Sequence, residues 1–359
     1  IFNGDEQVIQ DKQQIKQENL TIDEKVDKTV ESMSQTEKLG QMVMIGIQGT
    51  KVDDDSLYML NQYHMGGVIL FDRNMESLEQ VKQLTSDLQA QSNEKVPLFI
   101  GIDEEGGDVV RMAEKLTPAP SQKEIGATGD IEQAKTWAIK TAKSLKDMGI
   151  NVNFAPVADV GSNDKRSYST DANTVIDFVR AATKGYQQEN IIYSLKHFPG
   201  IGKGRVDSHV DSSSIDVTKG ILMAEDIIPF KTIIDENEPN DYFILVSHLK
   251  YLALDEEYPA SLSSKIMTDL LRNEFGYKGI IITDDMEMGA VANHNDFRSI
   301  GVNAVKAGAD IVLVCHEYKH QQEVYLGLLD AVNSGEISQE RIDESVKRII
   351  KVKLLHLYQ

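Results

Sequence analysis

The chain predicts an α/β fold, a single-domain (β/α)8 TIM barrel over residues 21–359 preceded by a flexible polar tether at residues 1–20. Eight short apolar runs alternate with amphipathic helical stretches. Most of the runs are continuously apolar rather than alternating, as parallel strands covered on both faces must be. Once the eight units are assigned, nothing large remains for a second domain, although 359 residues at roughly 150 per domain would allow one.

The elements follow in order. Residues 1–20 are rich in Gln, Lys, Asp and Glu and cannot bury enough apolar surface to offset their ordering entropy. Folding is expected to begin near Thr21, with a helix around Ile22 to Met33. Ser34 and Glu37 then form a capping box ahead of Leu39. The eight strand-like runs are Gln41 to Ile47, Gly67 to Phe71, Pro97 to Ile102, Val152 to Val157, Ile191 to Leu195, Tyr242 to Val246, Gly279 to Thr283 and Asp310 to Val314. Between them Leu78, Val81, Leu84 and Leu88 recur at helical spacing, as do Ala134, Ala138, Ala142 and Leu145, the latter stopped by Gly149. Further helical patterns run near Thr174 to Gln188, Met223 to Ile234, Ser263 to Phe275, Phe297 to Ala307, Gln321 to Asn333 and Ser338 to Leu357. The competing fold, a doubly wound open sheet, needs a glycine-rich phosphate loop after an early strand, and Gly46-Ile47-Gln48-Gly49 is a poor one.

Composition removes several function classes. With 37 Lys+Arg against 57 Asp+Glu the formal net charge is −20, which argues against nucleic acid as a partner. A lone cysteine, Cys315, excludes an internal disulfide framework and a cysteine-rich metal site. No apolar run reaches the roughly 18 residues that would predict a transmembrane segment. The start, Ile-Phe-Asn-Gly-Asp, is neither a Met start nor a signal peptide. A processed, secreted or lipid-anchored bacterial protein is therefore expected, with a cytoplasmic enzyme as the alternative.

In such a barrel the site is built at the carboxyl ends of the strands. Strand three ends in Asp103-Glu104-Glu105-Gly106-Gly107, with Arg111 beyond. Strand four ends near Asp159, with Arg166 in the next loop. Strand five ends in Lys196-His197-Phe198-Pro199-Gly200, and its loop carries Asp207-Ser208-His209. Strands six, seven and eight end in Ser247-His248, Asp284-Asp285 and Cys315-His316. One strand-end Asp is as readily the N-cap of the next helix. So many strand ends converging on one face are not explained that way. Aspartates, histidines and a few cations, with no reactive Ser motif and no phosphate cradle, suit hydrolysis of a neutral polar ligand such as a sugar. Glycoside cleavage needs one group at the anomeric carbon and another to protonate the leaving oxygen. Asp284 can supply the first. Asp207 and His209 suggest the second, because a carboxylate bonded to an imidazole fixes its tautomer and raises its basicity. Read blandly, Asp207-Ser208-His209 is a polar turn. Asp285 is expected to face away from Asp284, since adjacent strand residues alternate.

Ser194-Leu195-Lys196-His197-Phe198-Pro199-Gly200 followed by Asp207-Ser208-His209 resembles the signature of glycoside hydrolase family 3 β-N-acetylglucosaminidases (β-hexosaminidases). Similar pieces are Lys38 through Met42, Gly66 through Phe71 with Arg73-Asn74, Asp103 through Gly107, Asn153 through Asp159, Pro259 through Ser263, and Thr283-Asp284-Asp285-Met286 with Met288-Gly289-Ala290. The resemblance implies a retaining, exo-acting enzyme that releases terminal N-acetylglucosamine from peptidoglycan fragments or related amino sugars through a covalent glycosyl-enzyme intermediate. Asp284 matches the nucleophile, His209 the histidine acid/base and Asp207 its partner. Asp103, Arg111, Arg166, Lys196 and His197 match positions that hold the sugar. His248 and Asp159 match family positions for which a supporting role is as good a reading as direct contact. No cofactor and no metal site are implied. Asp207, His209 and Asp211 alternate and could ligate a cation, but further ligands are lacking.

Two positions depart from the family pattern. Ile201 stands where a second histidine is usual, and Asp108 follows Gly106-Gly107 where an arginine is usual. The alternatives are a β-glucosidase or β-xylosidase of the same superfamily, a phosphorolytic variant, and a non-catalytic sugar-binding barrel. Trp137, the single tryptophan, sits in a helical pattern and is read as core rather than as a sugar platform.

Overall fold

The computed structural model describes residues 20–92, 96–111, 116–161, 165–204 and 214–358. The expected tether, and with it the candidate residues Asp207, His209 and Asp211, lies outside these residues. Chain entry follows the sequence. Thr21 caps the helix Ile22–Ser32 through a capping box with Glu24. Ser34 caps Gln35–Gln41, accepting from Glu37 N while Glu37 accepts from Ser34 N at 2.7 Å.

Eight parallel strands form the barrel: β1 (Val43–Gly46), β2 (Gly67–Leu70), β3 (Phe99–Ile102), β4 (Val152–Asn153), β5 (Ile192–Phe198), β6 (Tyr242–Val246), β7 (Ile280–Thr283) and β8 (Val312–Val314). They hydrogen-bond in the order β8-β1-β2-β3-β4-β5-β6-β7. A parallel bridge between Ile282 and Ile311 brings β7 to β8 and closes the ring. Every strand residue is buried, because the inner face fills the barrel and the outer face meets helices.

Two strands differ from the sequence pattern, each for a local reason. β4 is shorter than its apolar run, because Pro156 has no N–H for the ladder; only Val157 bridges onward, to Lys196. β5 runs on through Lys196 and His197 to Phe198, with its register against β6 shifting between Leu195 and Phe198. That irregularity lets consecutive residues both reach the mouth of the barrel.

The helices pack outside. The Ala134, Ala138, Ala142 and Leu145 stripe is buried in Ile131–Asp147, which lies against Ala172–Gln188. Contact is close there: a Cβ on Gly185 would stand 2.7 Å from that of Ala138. Trp137, half-buried on the same helix, packs against the core under the Lys140 ammonium, 4.5 Å from the ring centroid. The stretch near Ser263 to Phe275 is wound as a π-helix, Lys265–Glu274. Short helices such as Gln122–Ala127 and Gly289–Ala292 have no counterpart among the sequence patterns, and neither does one longer helix. Asp54–Tyr63 buries Met59, Leu60 and Tyr63 behind an acidic first turn, and Asp53 caps it. A two-stranded piece also pairs Ser214–Ile215 with Lys250–Tyr251 beside the β5 loop.

Closure between β1 and β8 depends on Gly46, where a Cβ would lie 1.8 Å from the Cys315 carbonyl oxygen and 2.7 Å from Arg73 Nη2. Gly46→Ala should therefore destabilise the protein by about 1–3 kcal/mol, as overpacking does. Thermal unfolding measures the loss, and an unchanged melting temperature would refute the constraint.

Candidate active site

A cavity of about 300 Å³ opens at the carboxyl ends of the strands and is lined by residues on or just past every strand from β2 to β8. A second cavity of about 230 Å³ lies at the opposite end of the barrel, where Glu37 and His64 are the ionisable side chains among the described residues. The chemistry is concentrated at the first.

One wall is an ion network. Lys196 is 3% exposed and stands between two carboxylates, its Nζ 2.9 Å from Asp103 Oδ1 and 2.6 Å from Glu105 Oε1. Arg166 grips Glu105 with two prongs, Nε to Oε2 at 2.9 Å and Nη2 to Oε1 at 2.7 Å. Arg111 Nη2 approaches Asp103 Oδ2 at 3.5 Å. Burial by itself would push Glu105 up, but Lys196 and Arg166 outweigh it and hold the carboxyl at about 2. Burial is likewise the largest influence on Asp103, and Lys196 and Arg111 bring its pKa below the usual value. For Lys196 burial is overcome by Asp103 and Glu105, so its pKa is raised.

The network continues to His197. Its Nδ1 lies 2.8 Å from Asp159 Oδ2 and its Nε2 3.2 Å from Arg166 Nη2. An arginine can only donate, so Nε2 accepts and the ring proton sits on Nδ1, bonded to Asp159. Asp159 Oδ1 also accepts from His197 N at 3.2 Å and Ile201 N at 2.9 Å, which ties the start of the β5 loop to β4. Lys203 anchors the same stretch on buried Asp226 at 2.6 Å. Tyr251 OH donates to Gly200 O at 2.7 Å.

Opposite stand Asp284 and Asp285, just past the end of β7. Asp284 Oδ1 accepts from Asp285 N at 2.9 Å, and no lysine or arginine among the described residues forms an ion pair with it. Asp285 also lines the cavity. Strand alternation does not separate the two, because the strand ends at Thr283 and the following turn sets its own directions. Asp285 Oδ1 accepts from Glu287 N and Cys315 N, both at 3.1 Å. Among the described residues, Asp285, Glu287 and His316 are the group whose ligand atoms lie within 4.8 Å of one another, as a metal would require. The Glu287 oxygens are committed to His316 N at 2.5 Å, Glu317 N at 2.9 Å and His320 Nδ1 at 2.6 Å, and Arg73 Nη1 faces His316 Nδ1 at 3.2 Å. A guanidinium there opposes a cation.

The structure thus brings Asp284, Asp103, Arg111, Arg166, Lys196 and His197 to one cavity. His248 is placed otherwise. Buried and outside the cavity lining, it lies 2.7 Å from Ser261 Oγ through Nδ1 and donates from Nε2 to Asp285 O at 2.7 Å. It therefore holds the turn after β7 from behind, where a supporting role puts it. Glu105 was not singled out in the sequence, though its two-residue spacing from Asp103 places both on one side of an extended chain. His316 and Phe71, also on the cavity wall, stand at the ends of the eighth and second apolar runs, with no partner nearby in the sequence to assign them a role.

A barrel with an acidic and cationic network at its carboxyl mouth is the architecture of a TIM-barrel enzyme. Residues 34–352 match the glycosyl hydrolase family 3 N-terminal domain, and the chain belongs to that family. It is 34% identical over 326 residues to "Beta-hexosaminidase A" of Pseudoalteromonas piscicida, covering 82% of this chain and 54% of that one. It is 30% identical over 318 residues to "Beta-hexosaminidase" of Nitrosomonas eutropha, covering 85% and 90%. Among solved structures, a glycoside hydrolase family 3 β-N-acetylglucosaminidase from Paenibacillus sp. str. FPU-7 superposes with a TM-score of 0.87 at 36% identity, covering 90% of this chain and 62% of that one. The chain thus spans about half the length of the first relative and nine-tenths of the second.

Glu104, on the buried side of the β3 end, is pushed up to about 7 by burial, against the opposing hydrogen bond from Arg111 N at 2.7 Å. Below the ordinary value of 4.5 it is neutral both folded and unfolded and costs nothing. Between 4.5 and about 7 the unfolded chain releases the proton first, so stability falls with rising pH, and the cost levels off above 7. Glu104→Gln should accordingly raise the melting temperature over that of the parent protein at pH 8 and leave it unchanged at pH 4. Equal shifts at both pH values would contradict the assignment.

Proposed function

We propose that the chain is a retaining, exo-acting β-N-acetylglucosaminidase that hydrolyses terminal N-acetylglucosamine from peptidoglycan fragments or related amino sugars. The observation that carries this reading is the polarity of the cavity. One wall holds fixed donors and acceptors for a neutral polyhydroxyl ligand, while Asp284 faces it as a carboxylate without a cationic partner among the described residues. A volume of about 300 Å³ suits one sugar residue better than a stretch of polysaccharide. The hexosaminidase names of the relatives support the choice of an amino sugar.

In this reading Asp103 accepts from sugar hydroxyls, and Arg111, Lys196 and Arg166 donate to sugar oxygens. Asp284 attacks the anomeric carbon as the glycosidic bond breaks, giving a glycosyl-enzyme ester. His209, oriented by Asp207, delivers a proton to the departing oxygen. It then takes a proton from the water that hydrolyses the ester, so configuration is retained. A neutral imidazole suits that place, because a second carboxylate would be repelled by the first.

Asp284→Ala should abolish release of nitrophenol from a nitrophenyl N-acetylglucosaminide while the circular dichroism spectrum stays intact; a fully active variant would reject the nucleophile. A panel of nitrophenyl glycosides, assayed with and without phosphate, separates hexosaminidase from glucosidase or xylosidase activity and hydrolysis from phosphorolysis. Sugar binding by calorimetry without turnover on any glycoside would favour the non-catalytic barrel.

His209→Ala should slow an alkyl glycoside with a poor leaving group far more than a dinitrophenyl glycoside, which needs little protonation. Equal losses on the two would remove His209 from the acid role.

A further inference from the structure

The imidazole of His316, just past β8, reaches the same cavity and has no part in the scheme above. Its side chain is 47% exposed, yet its position is fixed from several directions. The ring rests against Phe71 with centroids 5.4 Å apart, and its backbone N–H donates to Glu287 Oε2 at 2.5 Å. On the far side Arg73 is itself pinned, donating from Nε to Ile47 O at 2.9 Å and from Nη2 to Cys315 O at 2.5 Å. Its Nη1 therefore meets His316 Nδ1 as a donor, 3.2 Å away. In the neutral ring the proton is thereby placed on Nε2, and in the cationic ring Nε2 carries one as well. Nε2 lies 3.4 Å from Asp285 Oδ2, too long for a strong hydrogen bond. Asp285 Oδ1 is meanwhile occupied by Glu287 N and Cys315 N.

A fixed donor and a fixed acceptor, side by side on a sugar-sized cavity, match one functional group. A hydroxyl accepts from the first and donates to the second. A carboxylate or phosphate would face Asp285 and Glu287, and an ammonium would present hydrogens to Nε2–H. We propose that His316 and Asp285 together bind one hydroxyl of the glycoside and so act as specificity-determining residues on the β7–β8 side of the cavity. The inference deepens the proposed function and rests on it. The hydroxyl belongs either to the terminal sugar or to the sugar it leaves.

The test compares His316→Phe, which keeps a ring against Phe71 but removes the donor, with His316→Gln, which restores an N–H. Both are assayed on a nitrophenyl N-acetylglucosaminide and on N,N′-diacetylchitobiose, with melting temperatures alongside. His316→Phe should lower kcat/KM about tenfold, the size of one hydrogen bond, mainly through KM and with little change in melting temperature, and His316→Gln should recover much of it. Loss on both substrates assigns the hydroxyl to the terminal sugar, and loss on the disaccharide alone assigns it to the leaving one. Unchanged kcat/KM in His316→Phe, or equal losses in the two variants, overturns the proposal. If the parent protein turns over glucosides instead of hexosaminides, the proposed function has failed separately. The same variants are then compared on a nitrophenyl glucoside and cellobiose. If nothing is turned over, the calorimetric Kd of the bound sugar gives the same comparison.

Discussion

The Lys196 ammonium, held between Asp103 and Glu105, is the interaction on which the rest of the site depends. A buried cation is costly unless it is paired and its hydrogens are used, and two carboxylates meet that condition here. They also overcompensate, and Arg166 and Arg111 close on the outer oxygens of Glu105 and Asp103, with Asp72 3.6 Å from Arg111 as the third carboxylate for the three cations. The result joins β3, β5 and the loops that follow β3 and β4 in a set of charges that no member can leave singly. With Glu105 held at about 2 and Lys196 raised, the set stays ionised well to either side of neutral pH. Its donors and acceptors therefore have fixed positions before any ligand arrives, which spares the reordering that binding would otherwise require.

Charge is distributed unevenly around the mouth. Cations gather on the β3–β5 side, while the turn after β7 presents Asp284 and Asp285 with backbone N–H groups as their closest donors. Backbone donors orient a carboxylate without neutralising it. Under the proposed function this separation has chemical value, since a lysine paired with Asp284 would lower its reactivity toward the anomeric carbon. His248 contributes from behind by holding the Asp285 carbonyl, so the turn's direction is set by a buried imidazole rather than by the strand.

The barrel was legible in the sequence because parallel strands buried on both faces leave continuous apolar runs, and all eight appear where those runs stand. Boundaries failed where a property outside hydropathy decided them, as with Pro156 in β4 or the register shift in β5. The helix Asp54–Tyr63 was hidden because its apolar stripe of Met59, Leu60 and Tyr63 is short and follows an acidic cap. Within the site, Asp103, Lys196, His197 and Asp284 could be read from their places at strand ends. Glu105 could have been found from its spacing. His316 also stands at a strand end, but its orientation could not be read, because it follows from Phe71 and Arg73 just past β2, more than 240 positions away in the chain, and from Glu287 beyond β7.

The two departures from the family pattern can now be weighed by what each side chain touches. Ile201 contributes its backbone N–H to Asp159, a bond any residue but proline supplies, and its apolar side chain packs against the core. The anchoring of the start of the β5 loop is thus indifferent to the missing histidine. Asp108 pairs with Lys165 at 3.4 Å, both largely exposed, so it adds no unpaired charge to the buried network. Neither change touches Lys196, Asp103, Glu105 or Asp284. The sequence-level motive for a barrel that binds sugar without cleaving it therefore loses its force. Both side chains line the cavity, so the departures bear on its surface rather than on the ion network.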